Sequence, residues 1–393
     1  MSNVTYLVTV SGPDRVGVGA ELFAALAQVT STQGQLSDVA QITIRGELVL
    51  CGEVTVEDTV SEDDVRRALA SHDISRSGIE ARVDRVTPDE SGDGGRLLVT
   101  LLAARIVAAQ LEGIFRAIAS VGATCERIVH LASYPVDCYE LVVRGRDHAA
   151  LREAVTAVSQ ENGVDLAVQR AGLHRRAKHL VVMDADSTLL QDEVIDLLAE
   201  ESGCAEEVAR ITASAMAGEL DFAESLRRRV ALLEGLDARV LDLVRDRLRL
   251  TPGARTLLRT LHRLGYVPAV VSGGFVEILA PLLAELHVDY LEANRLEIVE
   301  GRLTGRLAAP IVDRAAKARA LERFAHEVGV PLAQTVAVGD GANDIDMISV
   351  AGLGIAFNAK PVVREHADAA LSVPYLDAVL YFLGISREEI ETQ

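Results

Sequence analysis

The sequence predicts an α/β protein: an open parallel sheet carrying a helical cap, preceded by two small α+β units. Three observations lead there. From His179 onward, strand-like and helix-like segments alternate, as in a parallel sheet covered by helices. Between Glu193 and Leu250 the pattern is almost wholly helical, as an insertion beside a sheet edge would be; Val240, Val244 and Leu248 illustrate the spacing. Before His179, one pattern of elements occurs twice, on either side of a Gly- and Pro-rich stretch.

In the first repeat, Tyr6-Leu-Val-Thr-Val10 reads as a strand, and Val18, Leu22, Leu26 and Val29 recur on one helical face. Two strands follow, Val39 to Ile44 and Leu48 to Val56, then a helix from about Ser61 and a final strand near Ile79 to Val86. The second repeat has the strand Leu97-Leu-Val-Thr-Leu101 and a helix with Leu111, Phe115, Ile118 and Val121 on one face. Its remaining elements are Cys125 to Leu131, Asp137 to Val143, a helix from about His148, and a strand near Val164 to Gln169. Each repeat therefore reads βαββαβ. The segment Thr87-Pro-Asp-Glu-Ser-Gly-Asp-Gly-Gly95 between them has almost nothing apolar to bury and reads as a linker. The expected organisation is a first unit over 1–86, a second over 96–172, and an α/β core over 179–393 with its cap at about 193–250.

In the core, three apolar runs end in polar or Gly-containing loops: His179 to Met183 before Asp184, Val267 to Val271 before Ser272-Gly-Gly, and Thr335 to Val338 before Gly339-Asp340. Ligands of open α/β sheets bind beyond the carboxyl ends of the strands, so these loops are expected to meet at one edge. The first reads Asp184-Ala-Asp186-Ser187-Thr188. Two carboxylates this close are costly to gather without a cation between them. Taken alone, the loop is equally served by Asp186 or Ser187 capping the next helix. The third reads Gly339-Asp340-Gly341-Ala342-Asn343-Asp344 and by itself is also a possible strand-to-helix turn. Together the two loops bring at least three carboxylates to one edge, hard oxygen ligands that suit magnesium. No His spacing of the HExxH kind points to zinc. Ser272-Gly273-Gly274 offers a hydroxyl and backbone amides to a phosphate, or is an ordinary turn. Lys317 is by itself an ordinary surface lysine.

The ordered set DADST, SGG, Lys317 and GDGAND resembles the haloacid dehalogenase superfamily of phosphatases, with its Rossmann-like open sheet. The segments Leu189 to Glu193, Ile211-Thr-Ala-Ser-Ala-Met216, Phe222, Ser225-Leu-Arg-Arg-Arg229, Val270-Val-Ser-Gly-Gly-Phe275 and Ala293-Asn-Arg295 resemble the phosphoserine phosphatase family within it. This resemblance covers roughly 179–370. It implies hydrolysis of O-phospho-L-serine to L-serine and phosphate, the last step of serine biosynthesis. Asp184 would be the nucleophile that becomes an aspartyl phosphate, and Asp186 the general acid and base. Asp184, Asp340 and the backbone carbonyl of Asp186 would hold Mg2+, with Asp344 supporting them from behind. Lys317, Ser272, Gly273 and Asn343 would hold the phosphate. Glu193 would meet the substrate ammonium and Arg229 its carboxylate, under an apolar lid of Met216 and Phe222. Read without the resemblance, Arg229 belongs to an arginine run that could be a helix surface, and Met216 and Phe222 are ordinary core residues.

The two N-terminal repeats resemble ACT domains, amino-acid-sensing modules of metabolic enzymes. Gly12-Pro-Asp-Arg-Val-Gly-Val18 matches their ligand loop, which implies Asp14, Arg15 and Gly17 as ligand contacts, L-serine as a regulatory ligand, and a homodimer. The second repeat has Ala103-Ala-Arg105-Ile-Val in that place, without the Gly-containing turn. Two other readings stay open: an enzyme for a different small phosphate ester, and a non-catalytic sensor on a degenerate phosphatase.

Composition bounds these expectations. The chain has 393 residues, 49% of them hydrophobic, and a formal net charge of −19, which argues against binding nucleic acid. Cys51, Cys125, Cys138 and Cys204 stand far apart with no CxxC pair, as expected of reduced thiols in a cytoplasmic protein. No basic stretch leads into an apolar core at the N-terminus, so no signal peptide is expected. The most apolar segment, Leu97 to Leu111, is too short to span a bilayer, which takes about 20 residues.

Overall fold

A computed structural model describes residues 3–30, 35–72, 74, 78–86, 95–145, 147–172, 175, 177–216 and 219–392. Most of the expected linker, Thr87 to Asp93 and the following Gly94, lies outside these residues. The chain divides into two compact units, 1–92 and 93–393.

The first unit contains β1 (Asn3–Pro13), α1 (Val18–Val29), β2 (Gln35–Ile44), β3 (Glu47–Glu57), α2 (Glu62–Ser71) and β4 (Glu80–Val86). Its antiparallel sheet has the order β2-β3-β1-β4. The alternation in β1 buries Val4, Tyr6, Val8 and Val10 on one face. Leu22 and Leu26 of α1, with Val65 and Leu69 of α2, close the core over that face. Ser61 starts α2 by a reciprocal cap: its hydroxyl accepts from the Asp64 amide and the Asp64 carboxylate accepts from the Ser61 amide.

The second unit begins with the same order of elements: β5 (Arg96–Ala103), α3 (Ala108–Ser120), β6 (Thr124–Ala132), β7 (Asp137–Arg144), α4 (His148–Asn162) and β8 (Asp165–Arg170). The expected stripe on α3 packs against this core, but the deepest residues are Ile114, Ala117 and Ile118. The helix is turned toward α4, against which Gly113 sits so closely that a Cβ there would stand 3.0 Å from Val158.

The α/β core follows with β9 (Leu180–Met183) and a cap of four helices: α5 (Val194–Ser202), α6 (Ala205–Met216), α7 (Phe222–Ala231) and α8 (Val240–Arg247). Then come α9 (Ala254–Arg263), β10 (Val267–Phe275), α10 (Val276–Glu285) and β11 (Tyr290–Asn294). A hairpin of β12 (Leu296–Val299) and β13 (Arg302–Leu307) leads to α11 (Arg314–Val328), β14 (Thr335–Gly339), α12 (Ile345–Val350), β15 (Gly354–Phe357) and β16 (Ala369–Leu371).

The sequence reading separates 96–172 from 179–393, but one ten-stranded sheet runs through both, in the order β11-β10-β9-β14-β15-β16-β8-β5-β7-β6. The first six strands are parallel, and β8 joins antiparallel to β16 through the single pair Ala369 and Ala167. Side chains reinforce this seam. Arg152 donates to Asp368 at 2.8 Å and to the Ala367 carbonyl at 2.7 Å, and Gln169 donates to the Phe382 carbonyl at 2.8 Å. Arg175 and Glu140 form a buried ion pair. Leu102, Cys138 and Ala167 share an apolar cluster with Tyr381 and Phe382. The strands β5, β7 and β8 of the second βαββαβ unit are thus buried on both faces, one under α3 and α4 and the other in the common core, while the edge strand β6 is largely exposed.

Among the described residues, no helix is long and apolar enough to cross a membrane.

Candidate active site

Register aligns the three loops expected to meet. Leu180 stands beside both Val267 and Thr335, and Met183 beside both Val270 and Val338, so the residues after Met183, Val270 and Val338 emerge at the same level. Asp184 follows β9 directly and is 4% exposed. The chain then makes a wide turn over Ala185–Leu189, closed by the Leu190 amide donating to the Ala185 carbonyl at 2.8 Å; Asp186 and Ser187 are non-helical, Ser187 at a φ of 56°, a left-handed conformation costly for a non-Gly residue. That turn lifts Asp186 into the cleft while Asp184 stays at the strand end.

Asp184 accepts from the Ala185 amide at 2.7 Å and from Lys317 Nζ at 2.6 Å. Lys317, fully buried on α11, also reaches Asp344 at 2.7 Å. The other Asp344 oxygen accepts from the Gly341 amide at 3.0 Å. Gly339 is required here, because a Cβ on it would lie 2.5 Å from the Asp344 carboxylate. Asp340 accepts from the Thr188 hydroxyl at 2.9 Å. Asp184, Asp340 and Asp344 each offer an oxygen within 4.8 Å of the others. This all-oxygen, strongly anionic set fits a hard divalent cation.

Burial dominates the electrostatics. It pushes Asp186 up to about 7, helped by the Glu193 charge, and Asp340 up to about 6, helped by Asp344. Burial and the Asp344 charge also raise Asp184, against the pull of Lys317. Burial alone would lower Lys317, but Asp184 and Asp344 outweigh it and hold the ammonium charged.

A cleft of about 610 Å³ opens between this edge and the cap. Asp184, Asp186, Asp340, Gly273 and Asn343 line it from the core, and Glu193, Phe222 and Arg229 from the cap side. The arginine run resolves into two kinds of residue: Arg227 and Arg228 are exposed and pair with Glu224, while Arg229 turns inward and is half-buried. Burial pulls Arg229 below its ordinary range, opposed by the charges of Asp196, Glu193 and Asp186.

Some expected contacts differ. Ser272-Gly-Gly lies within β10 as a bulge: β11 pairs with it at Ser272, opposite Ala293, and again at Phe275, opposite Asn294, and the register shifts across Gly273 and Gly274. Asn294 holds the segment, donating to the Gly273 carbonyl at 2.8 Å and accepting from the Val312 amide at 2.9 Å. The Ser272 hydroxyl is buried and accepts from the Gly274 amide at 2.8 Å, so Gly273 and Gly274 line the cleft and Ser272 does not. Met216 ends α6, and its side chain lies outside the described residues. Sequence reasoning missed Thr188, although it stands within DADST, and also the cleft residues Thr212, Ser225, Arg314 and Lys360.

In the first unit, Gly17 takes a φ of 102° at the start of α1, as the expected loop requires. Arg15 pairs with Glu21 at 2.5 Å, and Asp14 accepts weakly from Thr43 at 3.3 Å.

Residues 181–349 match the haloacid dehalogenase-like hydrolase family, and residues 5–75 and 97–169 each match ACT domains. A phosphoserine phosphatase from Streptomyces coelicolor is 53% identical over 388 residues, covering 98% of this chain and 94% of the relative. A second, from Mycobacterium tuberculosis, is 48% identical over 397 residues, covering 99% and 95%. The chain belongs to the phosphoserine phosphatase family. Solved structures agree with the fold. A haloacid dehalogenase family hydrolase from Salmonella enterica superposes with a TM-score of 0.65 at 28% identity, covering 74% of this chain and 99% of the other. A probable phosphoserine phosphatase from Vibrio cholerae gives 0.59 at 31% identity, covering 78% and 92%.

Proposed function

We propose that the chain hydrolyses O-phospho-L-serine to L-serine and phosphate through an aspartyl phosphate on Asp184. The observation that carries this reading is that Glu193 and Arg229 line the same cleft as Asp184 and Asp186. An anion must attack an anion in this reaction, so charge neutralisation and alignment supply the catalysis. A carboxylate oxygen of Asp184 attacks phosphorus in line; its bond to phosphorus forms as the ester bond breaks. Asp186, protonated in part near neutrality, gives its proton to the leaving serine oxygen. As a carboxylate it then takes a proton from the water that splits the aspartyl phosphate, which releases phosphate and restores Asp184.

Lys317, the Gly273 amide and Asn343 hold the phosphoryl oxygens. Ser272 supports the Gly273–Gly274 backbone and reaches phosphate only if its hydroxyl turns from the Gly274 amide. Asp184, Asp340 and the Asp186 carbonyl would hold Mg2+, with Asp344, already bonded to Lys317 and Gly341, steadying the group from behind. When bound, the metal supplies positive charge against the repulsion between carboxylate and phosphate. Arg229 grips the substrate carboxylate through parallel hydrogen bonds, Glu193 takes the ammonium, and Phe222 forms the apolar lid. Asp184→Asn is expected to lower phosphoserine turnover by roughly 10⁴-fold or more. Phosphate release measured on a folded variant tests this, and substantial residual turnover would refute the nucleophile.

The ACT domains support regulation by an amino acid, which we take to be L-serine, at the loop of Asp14, Arg15 and Gly17. A homodimer is supported by the edge strand β2, whose Leu36, Val39, Ile42 and Ile44 are exposed apolar residues. Light scattering is expected to give twice the monomer mass, and a monomer would count against it. The four free cysteines fit a reducing, cytoplasmic setting.

A further inference from the structure

Two hydroxyls in the cap stand apart from every role assigned above. Ser225, on the first turns of α7, is 1% exposed, and its Oγ has no hydrogen-bond partner among the described residues. Thr212, on α6, is in the same condition: its Oγ1 is buried and unpartnered. Both residues line the cleft that holds Asp184 and Arg229. Leaving a buried hydroxyl without a partner is destabilising, so two in one cleft wall call for an explanation. Among the other buried hydroxyls, Thr188 is satisfied by Asp340, Thr251 by the Thr188 carbonyl and Ser159 by the Val164 carbonyl, while Thr100, on β5 and away from the cleft, is also unpartnered.

Position gives the explanation. Ser225 and Arg229 are four residues apart on one helix, hence on one face, and the Arg229 Nε donates to the Ser225 carbonyl at 3.4 Å. The hydroxyl therefore belongs to the patch where the guanidinium meets the cleft. A substrate with both a carboxylate and an ammonium brings up to about four acceptor sites and three donors to that patch. Glu193 and one guanidinium leave some of them unmet. We infer that Ser225 and Thr212 complete recognition of the amino-acid end of the substrate, Ser225 donating to the carboxylate beside Arg229 and Thr212 hydrogen-bonding the same end from the facing helix. This rests on the phosphoserine reading and makes the pair a determinant of specificity, since an ester without the carboxylate leaves both hydroxyls unmet.

The test uses the full chain and two substrates, phosphoserine and an aryl phosphate. Ser225→Ala is expected to raise KM for phosphoserine about ten-fold with a much smaller change in kcat, and to lower the selectivity ratio of kcat/KM for the two substrates by about ten-fold. Because the hydroxyl makes no hydrogen bond to the protein, the Tm of the ligand-free variant is expected not to fall. Thr212→Val, an isosteric change on another helix, is expected to shift selectivity in the same direction and provides the test should Ser225→Ala not fold. A selectivity ratio within two-fold of the wild type in both variants overturns the inference, as does a lowered Tm with equal losses on both substrates. A wild type without preference for phosphoserine overturns the substrate reading and this inference with it. A wild-type preference that survives in both variants overturns this inference alone.

Discussion

At the scale of single residues, the site is a dense set of carboxylates held by one lysine. Asp186 and Asp340 titrate at about 7 and about 6, above their ordinary range, mainly because burial disfavours their charged forms. The folded, metal-free protein therefore holds protons on these groups that the unfolded chain has already released between about pH 4 and 7. Their contribution falls as pH rises through that window, so metal-free protein loses stability there on going from acid to neutral. A cation bound by Asp340 needs the deprotonated form, so its stabilising effect runs the other way and grows with pH. Thermal melts with EDTA and with Mg2+ from pH 5.5 to 8 are expected to show a magnesium-induced rise in Tm that increases with pH; a rise independent of pH would contradict it. DADST and GDGAND were readable because each follows an apolar run, and Lys317 only through the ordered set they form together. The partner that orders Asp340, Thr188, carries no signal beyond its place in the motif, since a threonine hydroxyl bonds equally well to its own backbone.

At the scale of elements, α7 forms the cap wall of the cleft. It presents Phe222, Ser225 and Arg229 to the cleft and Arg227 and Arg228 to solvent, so adjacent positions on one helix separate a cleft-lining arginine from ordinary surface charge. Arg229→Ala is expected to cut kcat/KM for phosphoserine by about 100-fold, equivalent to roughly 2–3 kcal/mol. The loss for an aryl phosphate is expected to be far smaller. Steady-state kinetics on both esters check this, and equal losses would mean that Arg229 acts on the phosphate or on the fold. Strand and helix positions were largely legible, because period-2 runs such as Val4 to Val10 and capped helices such as the one after Ser61 are local signals. The extension of β10 through Ser272-Gly-Gly was not. It depends on Asn294 and on pairing with β11, some twenty positions away in sequence, and two consecutive glycines favour a turn in any local reading.

At the scale of the whole molecule, the second ACT domain and the hydrolase core share one sheet. Nothing local announces the seam, which is a single pair of alanines flanked by side-chain bonds. A chain shortened to begin at Gly95 keeps this sheet whole. One shortened to begin at Lys178 loses Arg152, Gln169 and Arg175 and uncovers the apolar stretch around Tyr381. Its Tm is expected to lie more than about 5 °C below that of the longer form. Equal melting temperatures would show that the seam adds no stability. The seam also has a consequence for how the molecule is made. Ala167 leaves the ribosome about 200 residues before Ala369, a wait of roughly 10–40 s at ordinary rates of synthesis. For that interval the nascent second domain has an open strand edge and an uncovered Leu102 and Cys138, and only the arrival of the last strand closes them.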